Sequence, residues 1–167
     1  MGRLISTDGT GTQRQRHRRT IAEALKRLAS KPELDAEARD LSALIVYSLR
    51  EIDAGVESSA EAWDKRGYYI KADRFRHDWS WVPRSADRIA NLIRVGDWQR
   101  LPVPLAQLAP RFADVKVKQY TRSPALWEGA CERLVAEERA KAAERKAAED
   151  QEAEQEAARR AEAGEAG

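Results

Sequence analysis

DAEARDLSALIVYSLREIDAGVESSAEAW, residues 35–63, decides the fold class. Leu41, Ile45, Leu49, Ile52, Val56, Ser59 and Trp63 recur in alternating steps of four and three, the spacing of one helical face and close to a coiled-coil seam. A half-buried strand would alternate every second residue instead. Asp35 stands where an N-cap carboxylate accepts from a free helix-start amide. Glu and Asp fill the remaining faces, and Gly55 is tolerated at a cost of about 1 kcal/mol relative to Ala.

Upstream, Thr20-Ile-Ala-Glu23 has the spacing of a capping box, in which hydroxyl and carboxylate satisfy amides at a helix start. Ile21, Leu25 and Leu28 follow at helical intervals, and Pro32 stops the run. The preceding RQRHRR can extend that helix without adding an apolar face. Residues 1–12, rich in Gly, Ser and Thr, read as a disordered arm. Gly2 followed by Ser6 matches the loose myristoylation pattern, which chance satisfies easily. The first residues hold no apolar run of the kind a secretory signal needs, so the cytoplasm is the expected compartment.

Downstream lies WDKRGYYIKADRFRHDWSWVP, residues 63–83. At about 100° per residue, Tyr68, Ala72, Phe75, Trp79 and Val82 share one face. Ile70, Arg74, His77 and Trp81 share a second, which continues the Trp63 seam. The apolar stripe therefore shifts around the helix beside Gly67. Either the helix breaks there or one long helix passes its buried face from one neighbour to another. The expectation is a continuous or gently kinked helix to about Trp81, ended by Pro83.

Ser85 is the expected cap of a further helix carrying Ala86, Ile89, Leu92 and Ile93 and closed by Gly96. Pro104 is a plausible first residue for LAQLA, which Pro110 interrupts. VKVKQY (115–120) alternates like a strand but has no pairing partner in the chain, so it reads as extended loop. Ser123-Pro124 opens a helix with Leu126, Trp127, Ala130, Cys131, Leu134 and Val135 at core spacing. Beyond Val135 only Ala, Glu, Lys, Arg, Gln, Asp and Gly occur, and no stripe is left to bury.

These readings predict an all-α bundle of four to five helices with a long central helix and a protruding charged C-terminal helix. The divisions are an arm over 1–12, a helical domain over 13–135 and a charged low-complexity tail over 136–167. Helix should exceed about 65%. The expected core holds Leu41, Ile45, Leu49, Ile52, Tyr68, Phe75, Trp79, Ile89, Ile93, Leu126 and Leu134.

Charge is abundant and sorted. The 30 Lys and Arg nearly balance the 28 Asp and Glu, for a formal +2. The sum conceals +5 over residues 1–30, −5 over 31–62, +7 over 63–127 and −5 over 128–167. No apolar run approaches the ~18 residues of a membrane span. One cysteine and two histidines leave neither a disulfide framework nor a Cys/His metal cluster.

Catalytic candidates are few. Asp73 and His77 are four apart on a helix, a spacing at which a carboxylate could orient an imidazole, although a solvated pair has the same spacing. Cys131 sits at core spacing, where an inert thiol is the usual occupant. No nucleophile elbow, phosphate-binding glycine loop or HExxH occurs. The expectation is a non-enzyme with no cofactor and no metal.

Binding has more support. Arg66, Tyr69, Lys71, Arg74, Arg76, His77, Trp81 and Arg84 mix cations with aromatic planes. Arg14, Arg16, Arg18 and Arg19 add a basic stretch near the N-terminus. Phosphates need cations and exposed bases need flat surfaces, so RNA or DNA is one partner class. Trp and Arg are equally the residues that protein interfaces favour. The bland alternative is that these cations pair with the acidic 31–62 helix. The leading expectation is a non-catalytic accessory or adaptor subunit of a larger bacterial assembly, contacting another protein or a second copy of itself. RNA or DNA binding by the same residues is the alternative.

Overall fold

The computed structural model describes residues 9–166. The protein is an all-α bundle, and the described residues are 79% helical with no strand. Six α-helices run in order: α1 (Thr10–Ala29), α2 (Ala36–Lys65), α3 (Tyr69–Asp78), α4 (Trp81–Val95), α5 (Pro102–Leu108) and α6 (Ala130–Glu165). Short 3-10 turns cover Ala109–Phe112 and Pro124–Leu126. Among the described residues no helix is long and apolar enough to cross a membrane.

α2 is the axis of the bundle, with α1, α3, α4 and α6 all packed on it. Residues 41–46 are consequently buried without interruption, because neighbours stand on every side of that turn and a half. Leu41, Ile45, Leu49, Ile52 and Val56 form the expected seam. Beyond Val56 the fully buried position is Ala60, while Ser59 and Trp63 of the expected seam are half-buried. Ile89, Ile93 and Leu134 are buried as expected, and Phe75 and Trp79 are half-buried against the core. Asp35 caps α2, its carboxylate accepting from the Ala38 amide at 2.8 Å.

Several expectations are corrected. The long helix does not continue past Trp63 to Trp81. Gly67 adopts φ 83°, and its N–H donates to Asp64 O while the Tyr68 N–H donates to Trp63 O, both at 2.9 Å. That bond pair is a left-handed glycine stop, which closes the last carbonyls of α2 and turns the chain. The break leaves Tyr68 57% exposed instead of buried. Pro83 starts a helix rather than ending one. It lies in the first turn of α4, where its missing N–H would have no intrahelical partner anyway. Ser85 therefore sits inside that helix and is not its cap. Gly96 closes it as expected, at φ 71° and with the same bond pair to Ile93 O and Leu92 O.

Thr20 and Glu23 do not start a helix. α1 begins ten residues earlier, at Thr10, so the last residues of the anticipated arm are its first turn; residues 1–8, including Gly2 and Ser6, lie outside the described residues. Glu23 is instead a buried acceptor. It receives the Thr121 N–H and hydroxyl at 2.7 Å, the Arg122 N–H at 3.0 Å and Arg19 Nε at 3.2 Å. This carboxylate ties the extended segment 113–122 to α1. The segment is a loop, as the missing strand partner implied.

Ser123-Pro124 opens only a 3-10 turn. Leu126 faces outward there, 46% exposed, while Trp127 turns in and is buried. α6 begins after Gly129, where the Asp40 carboxylate of α2 accepts from the Gly129 and Cys131 amides at 3.2 and 2.9 Å. A carboxylate on free helix-start amides is favourable by charge as well as by hydrogen bonding. Docking of α6 continues through Tyr47 to Glu137 at 2.7 Å and Arg50 to Glu138 at 2.8 Å. The helix then runs on to Glu165 with exposed side chains. Its 36 residues span about 54 Å.

Candidate interaction site at the α2–α3 corner

The site begins with the turn that Gly67 imposes. Three consecutive large side chains follow it, Tyr68, Tyr69 and Ile70, at 57, 63 and 78% exposure. They cannot turn inward because α3 is held by its other face. Ala72 is fully buried, and Phe75 meets the Trp63 ring edge-on at 4.9 Å between centroids. Arg76 forks onto Glu57 and Asp64, each at 2.8 Å. These hydrogen bonds raise the pKa of an already permanent cation. The corner is thereby anchored from both helices while its apolar tip faces water.

Lys71 and Arg74 join Tyr68, Tyr69 and Ile70 around a shallow concavity of about 500 Å³, with exposed Arg66 beside it. Lys71 Nζ also lies 4.4 Å from the Trp63 ring centre. The corner thus combines an apolar centre with a cationic rim. Large exposed apolar groups in one place are a feature of contact surfaces rather than of ordinary monomer surface.

The other candidate residues divide. His77 and Arg84 are exposed. Trp81 is half-buried, stacked on Trp79 at 6.1 Å, edge-on to Phe112 and covered by Arg111 at 4.8 Å. Arg14 lies over Phe75 and Trp79, at 5.1 and 5.2 Å. Arg18 pairs with Asp114 at 2.7 Å and reaches Arg111 O. Arg19 holds Glu23 and two loop carbonyls, Lys116 O and Gln119 O. Arg16 offers its carbonyl to Thr20 and Arg122. The basic stretch is therefore built into the fold, Arg14 against the rings of α3 and its C-terminal end and Arg18 and Arg19 against the loop above α1.

No hydrogen bond joins Asp73 to His77 among the described residues; Asp73 lies 3.6 Å from Arg76 instead. Cys131 is half-buried, and burial followed by the nearby Asp40 charge pushes its thiol pKa up, away from nucleophilic thiolate. Among the described residues no group of three or more His, Cys, Asp or Glu could hold a metal ion.

The basic loop residues Lys116, Lys118 and Arg122 escaped sequence reasoning. Their signal was the alternation in VKVKQY: Val115 and Val117 pack on the core while Lys116 and Lys118 point out. A period of two can be read as one face in and one face out even without a sheet. Comparison with protein-family models, curated proteins and solved structures gives no match for this chain.

Proposed function

We propose that the chain is a non-catalytic helical accessory subunit of a larger cytoplasmic assembly, docking a protein partner through the α2–α3 corner. The observation that carries this reading is the run of exposed Tyr68, Tyr69 and Ile70 on a turn fixed by Gly67 and by Arg76. A rigid apolar tip loses little conformational freedom on binding, so more of the burial free energy survives as affinity. The cationic rim of Arg66, Lys71 and Arg74 suits a partner whose apolar patch is edged by carboxylates. A nucleic-acid reading of residues 63–84 has less to draw on, because Arg76 is ion-paired and Trp81 is half-buried against Phe112.

The test is co-purification of the tagged full chain after nuclease treatment. Ile70→Asp and Tyr69→Ala, both at exposed positions, are expected to keep the helical circular dichroism spectrum and lose the partner. Lys141→Glu, on α6, is expected to retain it. A partner held equally by all four proteins would overturn the docking role of the corner.

A further inference from the structure

A second surface, apart from the corner, carries concentrated positive charge. The extended segment 113–122 lies along α1, and its backbone carbonyls face the cations of that helix. Arg19 donates to Lys116 O at 2.9 Å and Gln119 O at 2.7 Å, and Lys26 donates to Val117 O at 2.7 Å. Arg122 reaches back to Thr20 Oγ1 at 3.1 Å and Arg16 O at 3.0 Å. Carbonyls and hydroxyls orient a cation without cancelling its charge. Lys26 and Arg122 are therefore fixed in position with their charge uncancelled, while Arg19 shares its charge with Glu23 at 3.2 Å.

Between them is a concavity of about 580 Å³ lined by Arg19, Lys116, Lys118, Gln119, Thr121 and Arg122. Four of these six are cations and none is a carboxylate. Two acids stand nearby: Glu23 is buried beneath the segment with Arg19 and three loop donors on it, and Asp114, at the start of the segment, is paired with Arg18 at 2.7 Å. Next to the concavity Tyr120 is 43% exposed, with the Arg27 guanidinium 3.9 Å and Lys26 Nζ 5.7 Å from its ring centre.

We infer that the face formed by α1 and segment 113–122 binds single-stranded nucleic acid, its phosphates on Arg19, Lys116, Lys118 and Arg122 and a base against Tyr120. The held forks of Arg19 and Arg122 and the exposed amines of Lys116 and Lys118 supply the multiple phosphate contacts that backbone tracking requires. An exposed ring flanked by cations supplies the flat surface on which a base of any sequence stacks. The lining has no apolar side chain to enter a lipid surface, which argues against a membrane.

The experiment is fluorescence anisotropy of a labelled oligothymidylate with the full chain across a salt series. Binding should weaken steeply with salt, the slope reporting several released counterions. Lys116→Glu/Lys118→Glu, at exposed loop positions, should weaken binding about tenfold or more. Lys116→Gln/Lys118→Gln should weaken it less, and Lys141→Glu should leave it unchanged. Tyr120→Leu should weaken single-strand binding about fivefold and spare duplex of the same length. Circular dichroism checks that each variant is folded. The inference is overturned if wild type shows no salt-sensitive binding, if the double glutamate variant binds like wild type, or if polyglutamate or anionic vesicles are bound in place of the oligonucleotide.

Discussion

Glu23 shows how much one side chain can organise. It is 1% exposed, and burial by itself pushes its carboxyl pKa up. Hydrogen bonds from Thr121, Arg122 and Arg19 outweigh that and hold it below the ordinary 4.5. A carboxyl whose folded value lies below its unfolded one stabilises fully above about pH 4.5 and loses that contribution as pH falls through the folded value. Glu23→Gln is expected to cost about 1–3 kcal/mol at neutral pH, because it leaves buried loop donors poorly matched. It should also flatten the decline of melting temperature on acidification. A variant whose melting temperature tracks wild type from neutral to pH 3 would remove Glu23 as the tether of segment 113–122.

At the scale of elements, α6 is two things in one helix. Its first turns belong to the bundle through Ala130, Leu134, Glu137 and Glu138. Its remainder, with Ala the only apolar residue after Val135, has nothing to bury and projects into solvent. Truncation after Ala148 is therefore expected to leave the melting temperature nearly unchanged. Truncation after Ala136 should lower it, because Tyr47 and Arg50 lose their partners; burial and then the bond to Glu137 push the Tyr47 pKa up to about 12. Equal melting temperatures for the two would mean these contacts hold nothing.

The same elements show what periodicity reveals and what it conceals. The α2 seam and the Asp35 and Gly96 ends were legible because each depends only on neighbours in the chain. The Gly67 stop was visible as a shift of stripe, but a handover between two packing partners predicts the same shift. Thr20 and Glu23 have capping-box spacing, yet their donors lie about a hundred residues away, on Thr121 and Arg122. Ser123-Pro124 looks like a helix start; Gly129 and the Asp40 carboxylate of another helix set the actual one. Misreadings fall where a local signal is satisfied by a distant partner. The corner residues Arg66, Tyr69, Lys71 and Arg74 were legible as exposed candidates, whereas Arg76 and Trp81 looked alike in sequence and are half-buried and engaged within the fold.

Across the whole molecule, the combination of arginine and tryptophan that suggested binding is largely spent on the fold itself. Each of the five tryptophans has a cation over its ring: Trp63 with Lys71, Trp79 with Arg14, Trp81 with Arg111, Trp98 with Arg39 and Trp127 with Arg27. Arg14, Arg18, Arg27 and Arg39 each have a buried Nε without a hydrogen-bond partner, and each lies over an aromatic ring. Such contacts contribute about 0.5–2 kcal/mol each, more when desolvated. They also hold α1 to α3, and the loops to α1 and α2. Opposite charges also meet within the fold as ion pairs, Arg76 with Glu57 and Asp64. Among the described residues the exposed large apolar side chains that stand consecutively are those of the Tyr68–Ile70 tip; Val95, Val103, Tyr120 and Leu126 are exposed singly.

The central claim is that this tip faces another protein, and site-specific photocrosslinking in cells tests it most directly. A photoreactive residue in place of Tyr69 is expected to give a discrete protein adduct that survives nuclease, while the same residue in place of Ala157 on the projecting part of α6 does not give that adduct. No adduct from position 69, or one that nuclease removes, would contradict the account.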